Sequence, residues 1–381
     1  MKGGTFLLKF FVSFLSVLIA LTFFEFGLRH LPHPDPVPLL ENDPEVRIRY
    51  RKNLSLQIQA ENLQGTIPFQ TNNLGFVGEN WTVDTSSLRI AHFGDSFTAA
   101  SNISFRKNYV SQINDLLVSR LPFSLQSFNF GVGGYSTQDS LRSYRVYQKQ
   151  VKPNIVVLWM YLGNDLNDNY TPPFSTEENI SPAVLEIQKE SFSFKKFIYS
   201  LELTKLVKNA LVRSGLGHAV VETFSHIPFV GKKIYPLLVT NIPSELLVGF
   251  SQDPRSVDSF LQTEKYVTKF FQETQKAGQK FFVILIPPHF QVDPNALDLL
   301  KKQYPDLKQK NFNPDLPEQQ LSEFFQKSGI PFYDLTPRFK QKCEHECTLY
   351  MCRYCHLSEQ GYTVAAQEVS DFLFRVITSP L

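Results

Sequence analysis

In the run NIVVLWMY at residues 154–161, every residue after Asn154 is apolar or aromatic, so both faces of a strand there are apolar. A strand of that kind must be covered on both faces, as in the middle of a parallel sheet with helices on either side. Two weaker strands precede it, at residues 90–93 and 127–131. Each of the three runs into a glycine-bearing turn: Gly94-Asp95-Ser96, then the stretch from Gly131 to Thr137, then Gly163-Asn164-Asp165. Helical spacing fills the gaps. Val110, Ile113, Leu116 and Leu117 mark one helix over 108–120, and Ser136 or Thr137 caps a second over 138–150. This β-α-β-α-β progression predicts a mostly parallel sheet.

The rhythm returns after residue 250. A helix is expected over 257–278, ending in glycine. A strand over 280–286 is stopped by Pro287-Pro288. Helices follow over 295–304 and 317–328, then a strand over 330–334. A last amphipathic helix covers 358–377, with Ser358 as its N-cap. The expected fold is a three-layer α/β/α domain over 85–378, with a mostly parallel five-stranded sheet of flavodoxin-like type. Parallel strands point their C-terminal ends to one edge, so the three turns should meet in one crevice.

The first thirty residues are a different material. Residues 10–24 carry no charge, and the apolar run extends over 5–27 when Lys9 and Glu25 snorkel to the two interfaces. Lys2 and Lys9 lie on one side, whereas Glu25 and Arg29 cancel on the other. The positive-inside rule then leaves the N-terminus in the cytoplasm and the body outside, periplasmic or at the cell surface. Residues 1–30 are read as a transmembrane anchor. A cleaved signal sequence is the rival, without a clear small-x-small cleavage site to support it. Residues 31–84 form a linker and lead-in. Prolines at 32, 34, 36 and 38 make a stiff spacer, and 53–78, with TNNLGFVG, reads as strand and loop. Residues 170–250 interrupt the alternation and read either as a helical cap inserted over the crevice or as a plain connection. A net charge of +2 over 381 residues gives no reason to expect a nucleic-acid partner.

Ser96 follows a glycine at the end of a strand, where a hydroxyl can be presented at the sheet edge. His356 lies in the loop leading into the last helix, placed to reach back over that edge. The four segments Gly94-Asp95-Ser96, Asn129-Phe130-Gly131-Val132-Gly133-Gly134, Gly163-Asn164-Asp165 and His356-Leu357-Ser358, in this order, resemble the SGNH hydrolases, also called GDSL esterases and lipases. With the anchor and the TNNLGFVG lead-in, the resemblance is to membrane-tethered bacterial members. It implies Ser96 as nucleophile, His356 as base, and an oxyanion hole from Gly134 and Asn164. The implied function is an extracytoplasmic serine esterase acting on acyl esters, O-acetyl or other carboxylic, through an acyl-enzyme. An O-acyltransferase modifying envelope polysaccharide and a catalytically impaired carbohydrate-binding protein are the alternatives. The implied partners are an acyl-ester substrate on carbohydrate or lipid, and the membrane through the N-terminal helix. No cofactor is implied.

The chain departs from the pattern in two places. The family sets an Asp two or three residues before the His, where this chain has Tyr354 and Arg353. Three explanations stand: the imidazole is held by a backbone carbonyl, or by a displaced acid, with Asp334, Glu344 and Glu346 as candidates, or the enzyme is impaired. Second, all four cysteines of the chain, Cys343, Cys347, Cys352 and Cys355, cluster just before His356. In an exported protein they read as two disulfides with three possible pairings. A structural zinc site, with His345 as an extra ligand, is the rival. Either crosslink would brace the loop that ends at His356 and stand in for the missing Asp.

Overall fold

Each residue of the apolar central strand finds the cover it requires. In the computed structural model this strand, β7 (Ile155–Tyr161), is buried along its length apart from Tyr161. Ile155, Val157 and Trp159 join one core layer, while Val156, Leu158 and Met160 join the other. The structure describes residues 39–59, 66–170, 242–351 and 356–379, with the isolated positions 16 and 20. The expected anchor, most of the expected 170–250 insertion, and Cys352 and Cys355 lie outside the described residues. Among the described residues no helix is long and apolar enough to cross a membrane.

Residues 39–178 and 242–381 form one compact unit. It opens with two antiparallel hairpins. β1 (Leu40–Asp43) pairs with β2 (Arg47–Tyr50), and β3 (Ser55–Gln59) with β4 (Thr66–Gln70). The main sheet is built from β5 (Leu88–Phe93), β6 (Leu125–Asn129), β7, β8 (Lys280–Ile286) and β9 (Phe332–Asp334), in the order β6-β5-β7-β8-β9. Every neighbouring pair is parallel. The five-stranded parallel sheet is therefore as expected, and its strand ends fall within a few residues of the expected ones.

The helices follow in chain order: α1 (Ser96–Ala99), α2 (Tyr109–Val118), α3 (Thr137–Val151), α4 (Asp165–Tyr170), α5 (Ser244–Leu247), α6 (Pro254–Lys276), α7 (His289–Val292), α8 (Pro294–Gln303), α9 (Leu316–Ser328), α10 (Thr336–Lys342) and α11 (Glu359–Thr378). One face of the sheet packs Ile113 and Leu117 of α2 with Ala365, Val369 and Leu373 of α11. The other packs Leu141 and Tyr144 of α3, Phe260, Val267 and Phe270 of α6, and Leu321 and Phe325 of α9. These are the i, i+3, i+4 stripes that periodicity requires of helices covering a sheet. Fully burying such side chains stabilises the fold by roughly 1.5–3 kcal/mol each, so the two layers hold the C-terminal edge of the sheet rigid beneath its loops.

The first hairpin was not foreseen. Within the linker and lead-in strands expected over 31–84, no strand was placed at 39–50, where Val46, Ile48 and Tyr50 are buried in the α3 layer. The alternation in V-R-I-R-Y carries that signal in the sequence. The turn is closed by Asp43, whose Oδ1 accepts from the amides of Glu45 at 2.9 Å and Val46 at 3.1 Å.

Candidate active site

Ser96 opens α1 directly after β5. Asp95 is the N-cap, its Oδ1 accepting from the Phe97 amide at 2.9 Å. Gly94 must be glycine because a Cβ there would run into Thr98 Oγ1 and come within 2.9 Å of the Trp159 carbonyl. The chain is thus folded tightly enough to bring the Ser96 hydroxyl up at the strand end. His356 meets it from the far end of the chain, with Nε2 at 2.8 Å from Ser96 Oγ.

The main chain fixes the loop that carries His356. The Met351 amide donates to the His356 carbonyl at 3.1 Å, and the Ser358 amide to the Leu349 carbonyl at 2.9 Å. Residues 349–351 and 356–358 therefore pair as a short antiparallel bridge centred on Tyr350 and Leu357. Asn102 props the bridge from below, donating from Nδ2 to the Leu357 carbonyl at 3.1 Å, while its Oδ1 accepts from Tyr362 Oη at 3.0 Å. Ser358 caps α11 through the Gly361 amide and donates to the Thr348 carbonyl at 2.6 Å. The Phe97 ring lies 4.8 Å from the imidazole, centroid to centroid.

The three candidate acids have other placements. Asp334 turns into the start of α10, where its Oδ1 accepts from the Thr336 amide at 2.9 Å. Burial pushes its carboxyl above the ordinary range. Glu344 and Glu346 are exposed. The buried Asp95 carboxyl is one on which the charge of His356 acts. Burial raises it, while the bond from the Phe97 amide and the charge of His356 oppose that rise.

The proposed oxyanion donors sit on the neighbouring strand ends. Gly134 has φ +78° in a turn closed by the Tyr135 amide on the Val132 carbonyl at 3.1 Å. That left-handed position excludes other residues without strain. The Val132 amide donates to the Gly94 carbonyl at 3.2 Å, joining the glycine turn to the serine turn. A Cβ placed on Gly133 would lie 3.8 Å from Ser96 Cβ, so this loop passes directly over the nucleophile. On the other side, Asn164 donates from Nδ2 to Asp168 Oδ2 at 2.9 Å. A primary amide has two hydrogens, and the same side chain also lowers the Asp95 carboxyl by hydrogen bonding to it. Asp165 shapes this turn by accepting from the Tyr161 amide at 2.8 Å. Burial and the charge of Asp95 raise Asp168 to about 7 and hold Asp165 well above the usual range.

Cys343 and Cys347 are joined in a disulfide at the end of α10. That bond belongs to one of the three pairings expected for the cluster. His345 is exposed. His289 does not enter the Ser96 contact: its Nε2 lies 3.0 Å from Asp293 Oδ2, and its ring stacks on Tyr350 at 4.8 Å. Tyr350 in turn donates to the Pro287 carbonyl at 2.5 Å, so this group forms a wall behind the His356 loop. His92 is fully enclosed on β5 and accepts from Trp159 Nε1 at 3.1 Å. Burial lowers its imidazole to about 3, which keeps it neutral and out of the chemistry.

Sequence reading missed Asn102, Arg47 and Tyr50 as parts of this site. Asn102 has no motif of its own. Arg47 and Tyr50 carried only the alternating pattern of the overlooked hairpin.

Residues 90–207 match the family model of the GDSL-like lipase/acylhydrolases. The matched segment contains Ser96, Gly134 and Asn164. No curated protein matches the chain. Among solved structures the chain is similar to an acetylxylan esterase from Geobacillus stearothermophilus, at 12% identity and TM-score 0.39 over 77% of this chain and 96% of that one. It is also similar to a lipase/acylhydrolase from Enterococcus faecalis, at 14% identity and TM-score 0.38 over 75% and 95%. A third is the α/β hydrolase LAE5 from the metagenome of Lake Arreo, at 14% identity and TM-score 0.40 over 78% and 99%.

Proposed function

We propose that this chain, whose residues 90–207 match the family model of the GDSL-like lipase/acylhydrolases, is a serine esterase that works through an acyl-enzyme on Ser96. The observation that carries this reading is the 2.8 Å contact between His356 Nε2 and Ser96 Oγ. At that distance the imidazole can take the hydroxyl proton as Oγ attacks an ester carbonyl. The carbonyl oxygen becomes an oxyanion, held by the backbone N–H groups of Ser96 and Gly134 and by the Asn164 amide. Collapse of the tetrahedral adduct breaks the ester C–O bond, and the proton on His356 passes to the departing alcohol. Water then attacks the acyl-Ser96 ester with His356 again as base, releasing the carboxylic acid. The backbone bridge at 349–351 and 356–358 holds the main chain that carries the imidazole. Each of these groups belongs to the chain itself.

The site is proposed to act outside the cytoplasm, on a body tethered by residues 1–30. The uncharged run at 10–24 supports the tether. The Cys343–Cys347 disulfide supports the location, since such bonds persist in oxidising compartments.

The test is hydrolysis of p-nitrophenyl acetate, butyrate and palmitate by the full-length protein in detergent, beside Ser96→Ala. Turnover of at least one ester that disappears in Ser96→Ala is expected. Turnover that survives the substitution, or none from folded wild type, would overturn the reading.

A further inference from the structure

Three consecutive residues of the glycine turn are each tied to the first hairpin. The Gly133 amide donates to Tyr50 Oη at 3.2 Å. Arg47 Nη2 donates to the Gly134 carbonyl at 2.6 Å. Tyr135 Oη donates to the Ile48 carbonyl at 2.8 Å. The peptide unit that carries the Gly134 N–H is thereby anchored on both sides, by the amide before it and the carbonyl after it. From this geometry we propose that Arg47 and Tyr50 are positioning residues for the oxyanion donor Gly134, and that the hairpin ahead of the sheet is a working part of the active site. The proposal rests on the esterase reading above.

The clamp is built rather than incidental. Arg47 is a non-glycine residue at φ +76°, a conformation the tight turn to β1 holds in place. Its guanidinium forks onto Asp139, Nε to Oδ1 at 2.9 Å and Nη2 to Oδ2 at 2.7 Å, with the two side chains only 9% and 1% exposed. Asp139 also accepts from the Ser136 amide at 3.0 Å within the capping box of α3. One buried ion pair thus links the hairpin, the glycine turn and the helix that follows it. Tyr50 is 3% exposed and shares a further hydrogen bond with Ser101, in the loop after α1. Two fixed points on either side of one amide leave its N–H direction little freedom, which is what a preorganised oxyanion donor requires.

A purely structural clamp would make the same contacts, so the test must separate direction from stability. Tyr50→Phe removes the acceptor for the Gly133 amide and keeps the ring. Arg47→Lys keeps a charge but cannot fork onto Asp139 and the Gly134 carbonyl together. Both are measured in the full-length protein with p-nitrophenyl acetate, with active sites counted by exhaustive fluorophosphonate labelling. A boronic acid, whose serine adduct carries the tetrahedral oxyanion, reads the hole directly. The expected result is kcat per active site lowered about tenfold, less than the ~10²-fold loss from deleting a donor. KM should stay within about twofold of wild type, and boronate inhibition should weaken in step with kcat. Normal kcat per site with fewer active sites or a lower Tm would overturn the proposal and leave the esterase reading standing. Wild type that neither turns over ester nor labels would overturn the esterase reading itself, and the positioning role with it. Should Arg47→Lys fail to fold, Tyr50→Phe decides.

Discussion

In the proposed mechanism Ser96 and Asn164 do different work, and single substitutions should show the difference. Ser96→Ala removes the bond-forming atom. Asn164→Ala removes one donor from a hole that keeps its backbone members. The latter is expected to cost ~2.7–4 kcal/mol in the transition state, a fall of roughly 10²–10³ in kcat with little change in KM. Steady-state kinetics on a short-chain ester checks it. Asp168 makes a second residue-level prediction. Its folded-state value is raised to about 7 against 3.8 for the free group, chiefly by burial. The unfolded chain therefore gives up this proton first as pH rises, and stability is lost between about 4 and 7. Asp168→Asn removes that penalty and can still accept the Asn164 hydrogen bond. It should gain stability at pH 8, on the order of 4 kcal/mol at most, and little at pH 4. Thermal melts at the two pH values measure it, and an equal change at both would contradict the assignment. Ser96, Gly134 and Asn164 could be singled out because each sits in a short motif after a sheet strand, and His356 because it stands just before the N-cap of the last helix. Asn102, Arg47 and Tyr50 could not. Their partners lie 255, 87 and 83 residues away, and only the folded chain brings them together.

Among the elements, the parallel strands and the covering helices could be read closely because their periodicity is dictated by burial on one face or two. The β1–β2 hairpin was lost beside a proline-rich spacer, although Val46, Ile48 and Tyr50 alternate with charged residues as a half-buried strand should. The loop from 343 to 358 was legible as a braced segment but not in its means. The expectation was a displaced acid, the main chain or a crosslink, and the described contacts of this loop are mainly backbone bonds and Asn102. The Cys343–Cys347 bond closes a short loop at its start. Replacing both cysteines with serine should cost on the order of 2 kcal/mol of stability by the chain-entropy account. If the disulfide also steadies His356, kcat should fall several-fold while fluorophosphonate labelling slows in parallel. Wild-type kcat in the double variant would leave the orientation of His356 to the backbone bridge and Asn102. Asn102→Ala provides the complementary measurement, and is expected to lower kcat about tenfold or more by letting the bridge shift against α1.

At the scale of the whole molecule, a rigid sheet gathers at one edge residues drawn from opposite ends of the chain. The two partners in the central contact are 260 residues apart. The proposed tether adds a spatial constraint: the full-length protein should sediment with membranes and resist release by alkaline wash, and release by that wash would argue against an anchor. The central claim concerns the pair itself, Ser96 activated by a histidine that lacks the usual acid before it. The most direct measurement is fluorophosphonate labelling of the full-length protein, with the adduct located by mass spectrometry, beside Ser96→Ala and His356→Ala. The account predicts an adduct on Ser96 in wild type, none in Ser96→Ala, and labelling slowed by orders of magnitude in His356→Ala. Labelling of another residue, or labelling of Ser96 at an unchanged rate without His356, would contradict it.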